Sequence, residues 1–121
     1  MIFLDDIHHP KDVLLYTTST ENSVYASDGW RVVRDFNQFV NYITENGLPD
    51  LISFDHDLGV DENGETKLSG YDCAKWLVDY VMDHQVPLPR VLCHSQNPVG
   101  KENILKLFEN YKNSCLVDYT L

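Results

Sequence analysis

Three short apolar runs in this chain stop abruptly on polar side chains. Ile2-Phe3-Leu4 ends in Asp5-Asp6, Leu51-Ile52-Ser53-Phe54 ends in Asp55-His56-Asp57, and Arg90-Val91-Leu92-Cys93 ends in His94-Ser95. Runs of this length between polar residues read as buried strands. A further run, Trp30-Arg31-Val32-Val33-Arg34, is rich in β-formers. Between these runs the apolar residues recur at helical spacing. Asp35 offers an N-cap ahead of Phe36, Phe39, Val40 and Ile43, and Asn46-Gly47 with Pro49 closes that segment. Tyr71 to His84 places Ala74, Leu77, Val78 and Val81 on one face, with Trp76 and Tyr80 beside them. Asn97-Pro98 opens a last helix carrying Ile104, Leu105, Leu107 and Phe108.

Strands that alternate with helices imply βαβ units and a mostly parallel sheet. Right-handed crossovers then make a three-layer α/β sandwich the expected fold. Cys115-Leu116-Val117 reads as a fifth strand. Residues 10–29 show no clean 3.6-residue period. Within them Val13-Leu14-Leu15-Tyr16 reads equally as a strand or a helical turn, and Thr17 to Ser23 as a loop. A chain of 121 residues fits one domain, with residues 10–29 as an irregular insertion.

Nine Lys and Arg against 19 Asp and Glu give a formal charge of −10. That charge speaks against an extended nucleic-acid-binding surface, though a bound cation inverts the field locally. No apolar run approaches the ~18 residues that span a bilayer, and the N-terminal residues carry no basic or long apolar leader. Cys73, Cys93 and Cys115 are an odd count without a CxxC pair, as expected for buried free thiols in a reducing compartment. The expected location is the cytoplasm. Neither GxxxxGK[ST] nor GxGxxG occurs, which disfavours P-loop and dinucleotide chemistry.

The polar strand ends are where chemistry is expected. In an open parallel sheet the carboxyl ends of the strands share one edge, and ligands bind there. Asp5, Asp6, Asp55 and Asp57 would repel one another on that edge unless a cation binds, their pKa values rise, or they turn outward. Oxygen donors at a rigid edge suit Mg²⁺, and ligation by His56 or His94 would move the preference toward Mn²⁺. His56 and His94 also suit proton transfer at neutral pH. Asn97 is placed to cap the last helix, whose free N–H groups then face the same edge as an anion site. Plainer alternatives stand beside each reading. The acids are solvated loop residues, and His56 is a structural histidine. Arg34 either clamps a phosphate or pairs with an edge acid, and His8-His9 are simply exposed. The loop Asp61-Glu62-Asn63-Gly64-Glu65 fails as a calcium loop, because Gly59 and Gly70 occupy the first and closing ligand positions.

Taken together, Leu4-Asp5-Asp6, Ile52-Ser53-Phe54-Asp55-His56-Asp57-Leu58-Gly59, Ser69-Gly70-Tyr71-Asp72 and His94-Ser95-Gln96-Asn97-Pro98-Val99-Gly100 resemble the cyclic-phosphate processing receiver-like domains. The resemblance implies a receiver-like fold, a five-stranded parallel sheet of order 2-1-3-4-5 flanked by helices. It implies that Asp5, Asp6 and Asp55 hold a divalent metal, that His56, His94, Asp57 and Ser95 are catalytic, and that Asn97, Ser95 and Arg34 bind phosphate. Receivers carry a Lys after the fifth strand, and Cys115 to Leu121 contains none. The family often has an Arg before the Pro that follows the acidic pair; here Ile7-His8-His9-Pro10 stands. The implied function is a metal-dependent phosphoesterase acting on a 2′,3′-cyclic RNA end or a cyclic nucleotide. The alternative is a non-catalytic receiver-like module that accepts or sequesters phosphate or a phosphorylated ligand.

Overall fold

A computed structural model describes the backbone of residues 1–15 and 22–120, and the side chains of residues 1–15 and 23–114. Four strands form one parallel sheet in the order β2-β1-β3-β4: β1 (Ile2–Leu4), β2 (Arg31–Val33), β3 (Leu51–Phe54) and β4 (Arg90–Cys93). The register places Leu4 beside Val33 and Phe54, and Phe54 beside Cys93. The strands are three or four residues long because the apolar runs are. Helix α2 (Phe36–Asn46) joins β2 to β3, α3 (Gly70–His84) joins β3 to β4, and α4 (Pro98–Thr120) follows β4.

Side-chain alternation along the strands splits the core into two layers. Ile2, Leu4, Ile52, Phe54 and Cys93 face α2, α3 and α4, where they meet Phe39, Ile43, Leu77, Val81, Ile104 and Phe108. Phe3, Leu51 and Leu92 face the other way. That second face is covered by the segment between β1 and β2, which forms a 3-10 turn (Pro10–Leu15) and the short helix α1 (Asn22–Ala26). Val13 and Tyr25 are its buried anchors. The irregular stretch at residues 10–29 is therefore the third layer of the sandwich. The loop expected at 17–23 lies mostly outside the described residues.

The helix signals are met at the atoms that make them. The Asp35 side chain accepts from the N–H of Gln38, and Gly47 closes α2 at φ +82°. Ser69 and Asp72 form a reciprocal capping box at the start of α3. The Asn97 Oδ1 accepts from the N–H of Gly100 at the start of α4. Cys73 and Cys93 are buried free thiols, and burial pushes the Cys93 thiol up to about 11.

The fifth strand is a correction. Residues 115–117 fall inside α4, and the sheet among the described residues has four strands. No Gly or Pro interrupts residues 101–121. Ile104, Phe108 and Tyr111 keep one helical stripe, so the apolar content of three residues gives way to a helix already under way. Among the described residues the receiver lysine thus has no fifth strand to follow. Among the described residues no helix is long and apolar enough to cross a membrane.

Candidate functional site

The sheet ladder runs one residue past the strands. The N–H groups of Asp5, Asp55 and His94 donate to the carbonyls of Val33, Leu4 and Phe54 at 3.1, 2.9 and 3.0 Å. These three residues therefore stand side by side at the carboxyl edge. Asp5, Asp6, Asp55 and Asp57 line a cavity of about 300 Å³ together with His8, His94, Ser95 and Asn97.

Asp5 is the most enclosed of the acids. Its Oδ1 accepts from the N–H groups of Ile7 and His8 at 3.0 and 2.9 Å, and its Oδ2 lies 3.0 Å from Nε2 of His94. Burial alone would raise its pKa, but the His94 bond and the two N–H groups outweigh burial and hold it well below the usual carboxylate range. The His94 side chain is only 1% exposed. Its Nδ1 lies 2.7 Å from Ser53 Oγ, and its ring stacks on Phe3 with centroids 4.2 Å apart. Burial pushes the imidazole below its ordinary value, partly opposed by Asp5.

Asp55 has the opposite balance. Burial first, then the charge of Asp5 and to a lesser degree Asp6, push its carboxyl up to about 6, against lowering contacts from the His56 N–H and Ser95. One ligand atom each from Asp5, Asp55 and His94 lies within 4.8 Å of the others, so the cluster is able to hold a metal ion. Two carboxylates with a third, Asp6, on the same cavity are a donor set that fits a hard divalent ion.

His56 and Asp57 turn toward α4. The His56 Nδ1 lies 2.9 Å from Asp57 Oδ1, and Asn97 Nδ2 donates to Asp57 Oδ2 at 3.2 Å. The His56 bond, chiefly, lowers the Asp57 pKa. The His56 ring lies against Gly100 and is not among the cavity-lining residues. Ser95 Oγ accepts from the N–H of Asn97 at 3.1 Å, which folds the loop so that α4 begins at the cavity.

Arg34 does not reach the cavity either. Its guanidinium donates to the carbonyls of Asp5 and His8 at 3.2 and 2.8 Å and lies 3.3 Å from His9 Nε2. It braces the loop after β1 from behind. The Asp61 carboxylate accepts from the N–H groups of Asn63 and Glu65 and serves its own turn. Of the expected residues, the structure brings Asp5, Asp6, Asp55, Asp57, His94, Ser95 and Asn97 to one cavity, and leaves His56 and Arg34 beside it. Sequence reading missed Ser53 and Tyr25. The signal for Ser53 was a lone polar residue inside an apolar strand; Tyr25 had none.

The chain matches the family model of the cyclic-phosphate processing receiver domain over residues 1–110. It belongs to that family. The match ends within α4, before the residues where a fifth strand was expected. No curated protein and no solved structure matches the chain.

Proposed function

We propose that this receiver-like domain is a metal-dependent phosphoesterase that opens cyclic phosphates, either a 2′,3′-cyclic RNA end or a cyclic nucleotide. The observation that carries the reading is the convergence of Asp5, Asp6 and Asp55 on one cavity that also meets the start of a helix. Asp5, Asp6 and Asp55 would hold the ion, Mg²⁺ by preference and Mn²⁺ in its place. When bound, the ion supplies positive charge against the phosphoryl oxygens and acidifies water.

The chain's own groups do the rest. Ser95 Oγ and the Val99 N–H, the first-turn donor of α4 that is not already bonded to Asn97, receive the non-bridging oxygens, where the helix dipole favours negative charge. Asp57 keeps Asn97 and His56 in place at that helix start. A water oxygen joins phosphorus, one ester oxygen leaves, and the water's proton passes to the leaving oxygen. His8 faces the cavity with its side chain 44% exposed and is the imidazole best placed to exchange that proton with solvent. The formal charge of −10 suits a small substrate or a chain end rather than a long nucleic acid.

The test is a panel of 2′,3′-cyclic and 3′,5′-cyclic nucleotides with Mg²⁺ or Mn²⁺. Turnover by the wild type that is lost in Asp55→Ala supports the reading. No turnover on any member, together with stable phosphate labelling of Asp55, would replace it with phosphate acceptance.

A further inference from the structure

Ser53 is a polar side chain with no solvent exposure, in the middle of an otherwise apolar strand. Its Oγ lies 2.7 Å from His94 Nδ1 on one side and 2.7 Å from the Tyr25 hydroxyl on the other. His94 Nε2 lies 3.0 Å from Asp5 Oδ2. Four side chains from β3, α1 and the two strand ends thus form one continuous buried chain of hydrogen bonds. None of the four is more than 6% exposed as a residue.

The polarity of this chain follows from its Asp5 end. The Asp5 carboxylate accepts two backbone N–H groups at Oδ1 and has only acceptor capacity left at Oδ2. Nε2 of His94 therefore carries a hydrogen and donates it. Burial of the His94 side chain favours the neutral ring, which with its hydrogen on Nε2 accepts at Nδ1, so the Ser53 hydroxyl donates there. The Ser53 oxygen, its one proton used, accepts from Tyr25. Phe3 stacks on the ring and Tyr25 meets it edge-on, which holds the imidazole plane. Both ring nitrogens are then occupied.

We infer that Tyr25, Ser53 and His94 form a positioning relay that fixes the His94 tautomer and holds Asp5 toward the cavity, so that His94 is neither a metal ligand nor a proton carrier. The metal-holding set is then Asp5, Asp6 and Asp55. The last step rests on the metal reading proposed above, while the relay itself does not. The layer built by residues 10–29 acquires a second task, since α1 supplies the far end of the relay.

Nitrogen NMR of the imidazoles in the metal-free protein at pH 7 tests the relay. The expected result is a His94 ring protonated at Nε2 alone, with Nδ1 shifted by a hydrogen bond that Ser53→Ala removes and Ser53→Thr restores. A ring protonated at Nδ1, or at both nitrogens, overturns the inference. Pulsed electron paramagnetic resonance of the Mn²⁺-loaded protein tests the ligand set. Absence of a directly bonded nitrogen is expected, with Mn²⁺ affinity about tenfold lower in Ser53→Ala, as for other groups that orient metal ligands. A bonded nitrogen that disappears in His94→Gln overturns it. Failure to bind Mn²⁺ at all would count against the metal reading and leave the NMR result to decide the relay.

Discussion

The Cα of Gly100 lies against the imidazole of His56. A Cβ built on Gly100 would overlap the ring, coming within 2.7 Å of its Cδ2. The first turn of α4 and the residue after Asp55 are thus in direct contact, and the contact fixes where the helix start meets the acidic cavity. Gly100→Ala is expected to destabilise the fold by about 1–3 kcal/mol through overpacking. His56→Ala should relieve most of that cost. A double-mutant cycle by urea unfolding reads the coupling, and additive effects would show that the two residues do not constrain each other.

Gly70 poses a harder limit. A Cβ there would overlap the backbone carbonyl oxygen of Asp55, and the Gly70 N–H already donates to the His56 carbonyl at 2.7 Å. Backbone cannot rotate aside as a ring can. Gly70→Ala is expected to cost more than Gly100→Ala and to displace Asp55 as well. The measurement is thermal unfolding of both variants with and without Mg²⁺. Equal losses in the two would contradict the argument.

Asp55 sets a pH dependence. Burial, and then the charge of Asp5, push its carboxyl in the fold from the ordinary 3.8 up to about 6, so folding takes up a proton between those values. Its stabilisation is complete below the lower value and is lost as pH rises through the upper one. The metal-free wild type should therefore lose stability relative to Asp55→Asn from pH 4 to about pH 6. At pH 7 Asp55→Asn should be the more stable protein without metal and the less stable with it. A pH-independent difference between the two would show that burial and neighbouring charge do not strain this carboxyl.

Most of the sheet was legible because each apolar run is bounded on both sides by polar or breaking residues, as in Phe54-Asp55 and Cys93-His94. The convergence of Asp5, Asp55 and His94 followed from parallel order alone. The third layer was not legible. Among the described residues of 10–29 only Pro10, Val13 and Tyr25 are buried, too few to make a period. The false strand at Cys115-Leu116-Val117 came from reading three residues without the helix that runs through them. The positions of His56 and Arg34 depend on side-chain direction at a loop, which spacing does not encode.

Asn97 has two contacts that one side chain serves from opposite ends. Its Oδ1 caps α4 through the Gly100 N–H at 3.0 Å, and its Nδ2 donates to Asp57. Asn97→Ala should cost about 1 kcal/mol through loss of the cap. Asn97→Asp keeps a capping oxygen and recovers much of that stability, but places a second carboxylate against Asp57 and faces the cavity with added negative charge. It should bind inorganic phosphate more weakly than Asn97→Ala. If Asn97→Asp binds phosphate as well as the wild type, the helix start is not the anion site.

Two acidic clusters invite a cation, and the structure separates them by what each carboxylate already does. Asp61 Oδ1 accepts from the N–H groups of Asn63 and Glu65 at 2.9 and 3.0 Å, and its backbone pairs with Glu65 and Gly64. Its charge is spent on the turn that lets Val60 pair with Thr66. Asp61→Ala should therefore cost roughly 0.5–1.5 kcal/mol in stability, the range of an ordinary hydrogen bond, and leave Mn²⁺ affinity and turnover unchanged. Asp55→Ala should do the reverse, raising metal-free stability at pH 7 while removing Mn²⁺ binding. Calorimetric titration of both variants decides it. A loss of affinity in Asp61→Ala matching that in Asp55→Ala would mean that the ion is held by the wrong loop for the chemistry proposed.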